Sequence, residues 1–471
     1  MRQGAHATSL TSLFYFCVAS LTSLGLGCEA PKAAPADAGG REASVAPASS
    51  PAASGDAGGA DAPVKLVLKA ARLVVPKSGA VTQPAFVTIE GDKLTRVETT
   101  APEGGPAVTD LGEVTLTPGL VDAHTHLLHE EGPGDDGAMI VEASSMSDAD
   151  RALRGARYAR EMLRAGFTTV RDLGNSGHGA DVAMKRAIAK GFIDGPRMIV
   201  SSRALAPPGG QFPKLEPQFI GLVDREYAVV KSADEARALV AQTFYEGADL
   251  VKVIVDHGPG RVLGKAELEA IVDTAHRANR KVAAHALTEE ACAAAVAAGV
   301  DSIDHGYQIS DATLADMVKK KVFLVPTDYP LDFYDAFAPS GPNRAKVLEG
   351  MKKFRDGQVD RMKRARKLHV RIVAGSDAYV VTPRADRGRE AALMFAAYAD
   401  AGMTPLEILQ SATSEAADLL ALPATTMAMA AGSPADIVGW RGNPKDDAGA
   451  LERPAIVVKG GKIVHREGAA R

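Results

Sequence analysis

Two histidines one residue apart, His124 and His126, close the run Pro118-Gly119-Leu120-Val121-Asp122-Ala123. In a strand the side chains of i and i+2 point to one face, so both imidazoles project together from a strand end. Such a pair suits a shared metal ion; two histidines satisfied at a strand end are the plainer alternative. Farther along, reactive side chains recur within or just after short apolar runs. Lys252 interrupts Leu250-Val251-Lys252-Val253-Ile254-Val255, His285 follows Val282-Ala283-Ala284, His305 ends Asp301-Ser302-Ile303-Asp304, and Asp377 follows Val373-Ala374-Gly375-Ser376. A lysine inside a buried strand is costly unless its charge is removed or paired. A snorkelling stem or a salt bridge accounts for an isolated lysine. Beside four histidines a neutral amine that captures CO2 accounts for it better, because the carbamate so formed is an anion able to bridge two metals.

The elements that must carry these groups alternate. Apolar strands are expected near Phe167–Arg171, Arg197–Ser201, Leu250–Val255, Lys281–Ala284, Ser302–Ile303, Val322–Val325 and Arg371–Ala374, with helical sequence between them. Ser232-Ala233-Asp234-Glu235 and Thr404-Pro405-Leu406-Glu407 read as capping boxes, and Gly166, Gly247 and Gly299 as glycines closing helices. With the Gly119 strand this makes eight strands at roughly 36 residues per step, the pattern of a (β/α)8 TIM-like barrel, whose catalytic groups sit at the carboxyl ends of the strands. An open doubly wound sheet is less apt, since no glycine-rich phosphate loop follows the first strand. Both ends of the chain are β-rich and close in Gly91-Asp92 and Gly460-Gly461 turns. Residues 64–118 plus 424–471 are therefore expected to form one small β-sandwich domain, with the barrel over 119–423.

Residues 1–28 read as a targeting signal: Arg2, an apolar stretch from Leu10 to Gly27, then Cys28. The end Leu24-Gly25-Leu26-Gly27-Cys28 resembles a bacterial lipoprotein signal, in which the cysteine is lipidated; an ordinary cleaved signal or an uncleaved anchor is the alternative. Residues 29–63, nearly all Ala, Pro, Gly, Ser and Asp, are too apolar-poor to offset their ordering entropy and read as a flexible linker. The expectation is an exported protein of the periplasm or cell envelope, lipid-anchored at Cys28. Of three cysteines Cys17 lies in the signal and Cys28 is the lipid site, which leaves Cys292 alone, so no intrachain disulfide is expected. The 471 residues carry a net charge of -4, which speaks against a nucleic-acid surface.

In this order, His124-Thr125-His126, Lys252, His285, His305 and Asp377 resemble the amidohydrolase superfamily, metal-dependent hydrolases on a (β/α)8 barrel. The branch most resembled is the imidazolonepropionase-related group with binuclear zinc, which includes dipeptidases acting on Xaa-Pro or Xaa-Arg. Gly166-Phe167-Thr168-Thr169-Val170-Arg171-Asp172, Gly299–Gly306 and Gly432-Ser433-Pro434-Ala435-Asp436 extend the likeness. The resemblance implies that His124, His126 and Asp377 hold one ion, that N6-carboxylated Lys252 bridges, and that His285 and His305 hold the second. It further implies that hydroxide bridging the two ions attacks an amide carbonyl while Asp377 moves the proton. Departures fall where substrate would be held: Gln211 stands where these dipeptidases have histidine, and Leu287 where they have tyrosine.

Tyr307, His178 and His257 lie on the expected substrate face and are the substrate-contact candidates, with ordinary loop residues as the alternative for both histidines. Arg171 and Asp172 are read as a functional pair or an internal salt bridge, and Asp122 as an orienting group for His124 or a backbone amide. The leading expectation is hydrolysis of an amide C–N bond in a small peptide or N-acyl amino acid. The competing ones are a mononuclear deaminase or cyclic-amide hydrolase, and a non-catalytic periplasmic binding protein. Expected partners are a small-molecule or dipeptide-like substrate and two divalent ions, with a homo-oligomer left open, no nucleic acid, and the membrane met only through the lipid anchor.

Overall fold

Short alternating runs at the two ends of the chain pair with each other. The computed structural model describes residues 65–468 apart from 104–105, 133–136, 259, 336–337, 339–341 and 383–384. The expected signal over 1–28, the expected linker over 29–63 and Cys28 lie outside the described residues. Strands β1 (Lys65–Ala70), β2 (Arg72–Val75), β3 (Ala80–Thr82), β4 (Ala85–Glu90), β5 (Lys93–Glu98), β6 (Val108–Asp110) and β7 (Val114–Pro118) come first. The parallel strands follow: β8 (Leu120–Thr125), β9 (Phe167–Asp172), β10 (Arg197–Val200), β11 (Ala204–Ala206), β12 (Tyr227–Val229), β13 (Val251–Ile254), β14 (Val282–Ala286), β15 (Ser302–His305) and β16 (Phe323–Val325). Last are β17 (Ile437–Arg441), β18 (Pro454–Lys459) and β19 (Lys462–Arg466).

One sheet has the order β5-β4-β1-β6, and a second, β19-β18-β17-β7-β2-β3, draws strands from both ends, with Leu116 of β7 opposite Gly439 of β17. Leu68, Val87 and Ile89 of the first sheet and Leu116, Ile437 and Ile456 of the second share one buried apolar cluster. Val87 and Ile89 reach it together because they are two residues apart on one strand face. The only tryptophan, Trp440, is fully buried and donates from Nε1 to Thr117 Oγ1 at 2.8 Å. Its ring needs Gly166, where a Cβ would lie 2.7 Å from Trp440 Cη2 and where φ is +98°.

The reactive groups ride on the parallel strands. The expected strand–helix alternation is present, but these strands register as two sheets, β10-β9-β8 and β12-β11-β13-β14-β15-β16. Two local features depart from eight even steps. After β10 the chain takes up β11 and β12 before the next long helix, Ala233–Glu246, with Ser202 in the left-handed region. The segment 371–374 is no ladder strand, because it is short and runs into Gly375 and a left-handed Asp377. Its backbone nevertheless bonds on both sides: Leu324 N–H to Arg371 O at 2.9 Å, Val373 N–H to Leu324 O at 2.9 Å, and Ala123 N–H to Ala374 O at 2.8 Å.

Helix ends follow the sequence signals with one exception. Thr404 and Glu407 form a reciprocal capping box with Pro405 at the first turn. Ser232 accepts from Glu235 N–H, but the Glu235 carboxylate turns to the amide of Lys231, so the second box is only half made. Gly247 and Gly299 end their helices in the left-handed conformation.

Candidate active site

All six residues of β8 are buried, which fixes how its two histidines leave the strand. His124 Nε2 lies 3.3 Å from His126 Nε2. Asp377 Oδ1 stands 3.5 Å from the first and 3.3 Å from the second, and Oδ2 lies 3.9 Å from His305 Nδ1. Donor atoms of His124, His305 and Asp377 all fall within 4.8 Å of one another. The His285 ring packs edge-on against His305 with centroids 4.5 Å apart. Lys252 Nζ lies 3.4 Å from His124 Nε2 and 3.3 Å from Asp304 Oδ2. Four strand ends and the 371–377 turn thus bring all six expected ligands to one place.

The backbone is strained there. His305 has φ +73° and Asp377 φ +54°, neither a glycine. Such conformations cost on the order of 1–3 kcal/mol each and persist where packing dictates them. Asp122 supplies part of that packing: its carboxylate accepts from the amides of His124 (3.1 Å) and Ser376 (3.0 Å) and from Ser376 Oγ (2.6 Å). Burial raises Asp122 to about 7, against the pull of those hydrogen bonds. Its expected orienting role is thereby met through backbone amides on both ligand-bearing segments.

Burial also sets the charge of the ligands. It lowers His124 to about 4 and His305 to about 3, and Lys252 adds to the effect at both. His285 is held well below its ordinary range by burial and by His305. These imidazoles are neutral at pH 7 and so have lone pairs to offer a cation. Burial likewise lowers Lys252, against the opposing pull of Asp304 and Asp377. Asp377 moves the other way, since His124, His126 and His305 outweigh its burial and keep it ionised. The Asp377 side chain is 19% exposed whereas that of His124 is 1% exposed, so Asp377 is the member able to exchange protons with incoming molecules.

Asp304 escaped the sequence reading. Fully buried, it accepts from Arg171 Nη2 (3.1 Å) and Lys252 Nζ and stands 3.1 Å from His124 Nδ1. A carboxylate inside a buried strand is as costly as a lysine there, and that signal was available in Ser302-Ile303-Asp304-His305. Its partner Arg171 is therefore not paired with Asp172, whose Oδ2 accepts instead from Leu127 N–H at 2.7 Å and Thr125 Oγ1 at 3.1 Å. Neighbouring residues on β9 point to opposite faces, which rules out the pairing read from the sequence.

Of the substrate-contact candidates, Tyr307 is beside the centre, its hydroxyl 3.2 Å from Thr327 Oγ1 and 3.5 Å from His305 Nδ1. His257 is buried after β13, where burial and then Arg261 lower it to about 4, and it is close enough to act electrostatically on His285. His178 is exposed before the helix Ala180–Ala189 and joins none of these contacts. Gln211 is turned toward Tyr227, whose hydroxyl donates to its Oε1 at 3.0 Å.

A second charged cluster borders the first. His129 is buried, with Nδ1 2.6 Å from Glu142 Oε2 and Nε2 3.1 Å from Glu131 Oε1. Burial opposes its charge, but the two carboxylates outweigh burial and raise it from 6.5 to about 9. A raised folded-state pKa stabilises fully below the unfolded value and ceases to do so as pH rises through the folded one. The urea midpoint of the wild type is accordingly expected to fall between pH 6.5 and about 9. His129→Gln is expected to lose that part of the pH dependence, and a midpoint profile shared by both proteins would contradict the assignment.

An α/β chain whose parallel strands deliver neutral histidines, a carboxylate and a buried lysine to one point has the donor set of a metal-dependent hydrolase. Residues 115–464 match the model of the amidohydrolase family, and the chain belongs to that family. It is 29% identical over 377 residues to ochratoxinase of Aspergillus niger, covering 74% of this chain and 75% of that protein. Among solved structures it resembles a prolidase complexed with N-methylphosphonate-L-proline, at 27% identity and TM-score 0.74, covering 86% of this chain and all of that one. It also resembles a Xaa-Pro dipeptidase with bound methionine, at 25% identity and TM-score 0.72, covering 85% and 99%. The chain is an enzyme of this hydrolase family.

Proposed function

We propose that the enzyme hydrolyses an amide C–N bond in a small peptide or N-acyl amino acid with two divalent ions, zinc by preference. The observation that carries this reading is His285 Nε2, a buried nitrogen without a hydrogen-bond partner, on a ring packed against His305. Leaving such an atom unpaired costs about 1–3 kcal/mol, and a ligated cation removes that cost. The residues present fit the group: His124, His126 and Asp377 would hold one ion, His285 and His305 the other, and Lys252, carboxylated at Nζ, would be a ligand to both. When bound, two such ions acidify water and polarise a carbonyl.

Asp377, ionised and partly exposed, accepts the proton of the attacking water and delivers it to the leaving amine nitrogen. The Tyr307 hydroxyl stands where it can donate to a substrate carboxylate or carbonyl oxygen. In this reading the parallel strands and segment 371–374 form a (β/α)8 barrel over 119–423. Residues 64–118 with 424–471 form the small β-sandwich domain. The leading segment exports the protein to the periplasm or cell envelope, with Cys28 as a lipid anchor.

The mononuclear alternative rests on the contact between Lys252 and Asp304, which suits a lysine that keeps its charge. Elemental analysis of protein prepared with bicarbonate and without chelator separates the two. The expected result is about two divalent ions per chain, with turnover of some members of a dipeptide and N-acyl amino acid panel. One ion per chain would favour the mononuclear reading, and inactivity across the panel would favour a binding protein.

A further inference from the structure

Asp377 and His126 end different segments, and one buried arginine bonds the backbone of His126 and of Ala378, the residue after Asp377. Arg387 Nη1 donates to the carbonyl oxygens of His126 (3.4 Å) and Ala378, and Nη2 to those of His129 and Tyr379 (3.2 Å each). One guanidinium plane therefore spans the loop after β8 and the loop after Asp377. The two loops already touch along their backbones, through Asp377 N–H to His124 O at 2.8 Å and Glu131 N–H to Tyr379 O at 3.0 Å. These contacts tie the loops at each end of the ligand-bearing stretch, and Arg387 links them between those ends, donating to the carbonyl of His126, which also accepts from His129 N–H at 3.3 Å, and to that of Ala378.

The arginine itself is fixed from behind. Gly388 packs so closely on the helix Asp148–Arg164 that a Cβ would lie 2.4 Å from Glu161 O. The Arg387 amide donates to Glu161 Oε2 at 3.0 Å, and its guanidinium lies 4.1 Å from the Tyr158 ring centroid. Among the described residues no carboxylate stands at ion-pair distance from it, so its direct hydrogen-bond partners on the ligand loops are carbonyl oxygens. A planar fork with fixed donor directions can hold four carbonyl oxygens in register; an ammonium cannot.

We propose that Arg387 is a positioning residue that fixes His126 relative to Asp377 and thereby sets affinity for the ion those two share. This rests on the metal reading above. The experiment is chelator competition for zinc on wild type, Arg387→Met, Arg387→Lys and Arg355→Met, with the melting temperature of each metal-free protein. Arg355 is an equally buried arginine that bonds Ala397 O and Asp400, away from the ligand loops.

The expected result is zinc binding about 10–100-fold weaker in Arg387→Met, in the range for groups that orient metal ligands. Arg387→Lys keeps the charge without the fork and is expected to fold and bind with intermediate affinity. Arg355→Met is expected to lower the melting temperature while keeping wild-type affinity. Wild-type affinity in Arg387→Lys and Arg387→Met, or an equal loss in Arg355→Met, would overturn the proposal alone. A wild type that binds no divalent ion would overturn the metal reading and this inference with it.

Discussion

Replacing Lys252 by alanine is expected to lower kcat/KM by about a thousandfold or more, equivalent to several kcal/mol of transition-state stabilisation. It is expected to reduce bound metal from two ions to one. The amine sits on β13 with almost no solvent contact, between His124 and Asp304. Burial drives its pKa down, and a neutral amine is the form that reacts with CO2. On the proposed reading alanine would remove the bridging carbamate, and in either charge state of the lysine it leaves Arg171 as the cation beside the Asp304 carboxylate. Since the change also breaks a buried pair, stability must be measured beside activity. A variant that folds, binds one ion and regains turnover with added short carboxylic acids would identify the lysine as a ligand. Retained wild-type turnover would refute the role outright.

Asp377→Asn is expected to lower kcat by about 10²–10⁴-fold, the range for loss of a general acid–base group. KM is expected to change little, because the carboxylate acts on the proton in flight more than on substrate affinity. Asparagine keeps the shape that Asp377 needs at φ +54°, and it tolerates the left-handed region better than most residues. The fold is therefore expected to survive, with the melting temperature of the metal-free protein near that of the wild type. Held well below the ordinary carboxylate range, Asp377 stays ionised across the accessible pH range, so the loss is expected at every pH, and a variant with wild-type kcat would assign the proton transfer elsewhere.

How much of this was legible in the residues differs from one group to the next. The histidines of β8 were readable because strand periodicity alone aligns i and i+2. Lys252 was readable because a charge within a β-branched run has no inexpensive local solution. The same argument applies to Asp304, whose buried carboxylate has no inexpensive local solution either. Arg171 is legible as a candidate for an internal salt bridge, but its partner is not, because Asp304 lies on β15, far along the chain. Arg387 had no local signature: an arginine at the start of a short helix reads as an exposed charge until the fold encloses it.

The sequence by itself determined which groups the chemistry has, their order along the chain, and the family to which the chain belongs. These depend on residue type and on short periods that local backbone geometry translates directly. Tertiary structure alone decided that Asp377 lies within reach of His124, His126 and His305, that Asp304 ties Lys252 to Arg171, and that one arginine spans two loops. Their partners lie as far as 261 residues apart in the chain, and no local preference encodes contacts of that separation. They are set by how sheets pack, by where backbone strain is tolerated, and by which buried charges must meet to be tolerated at all.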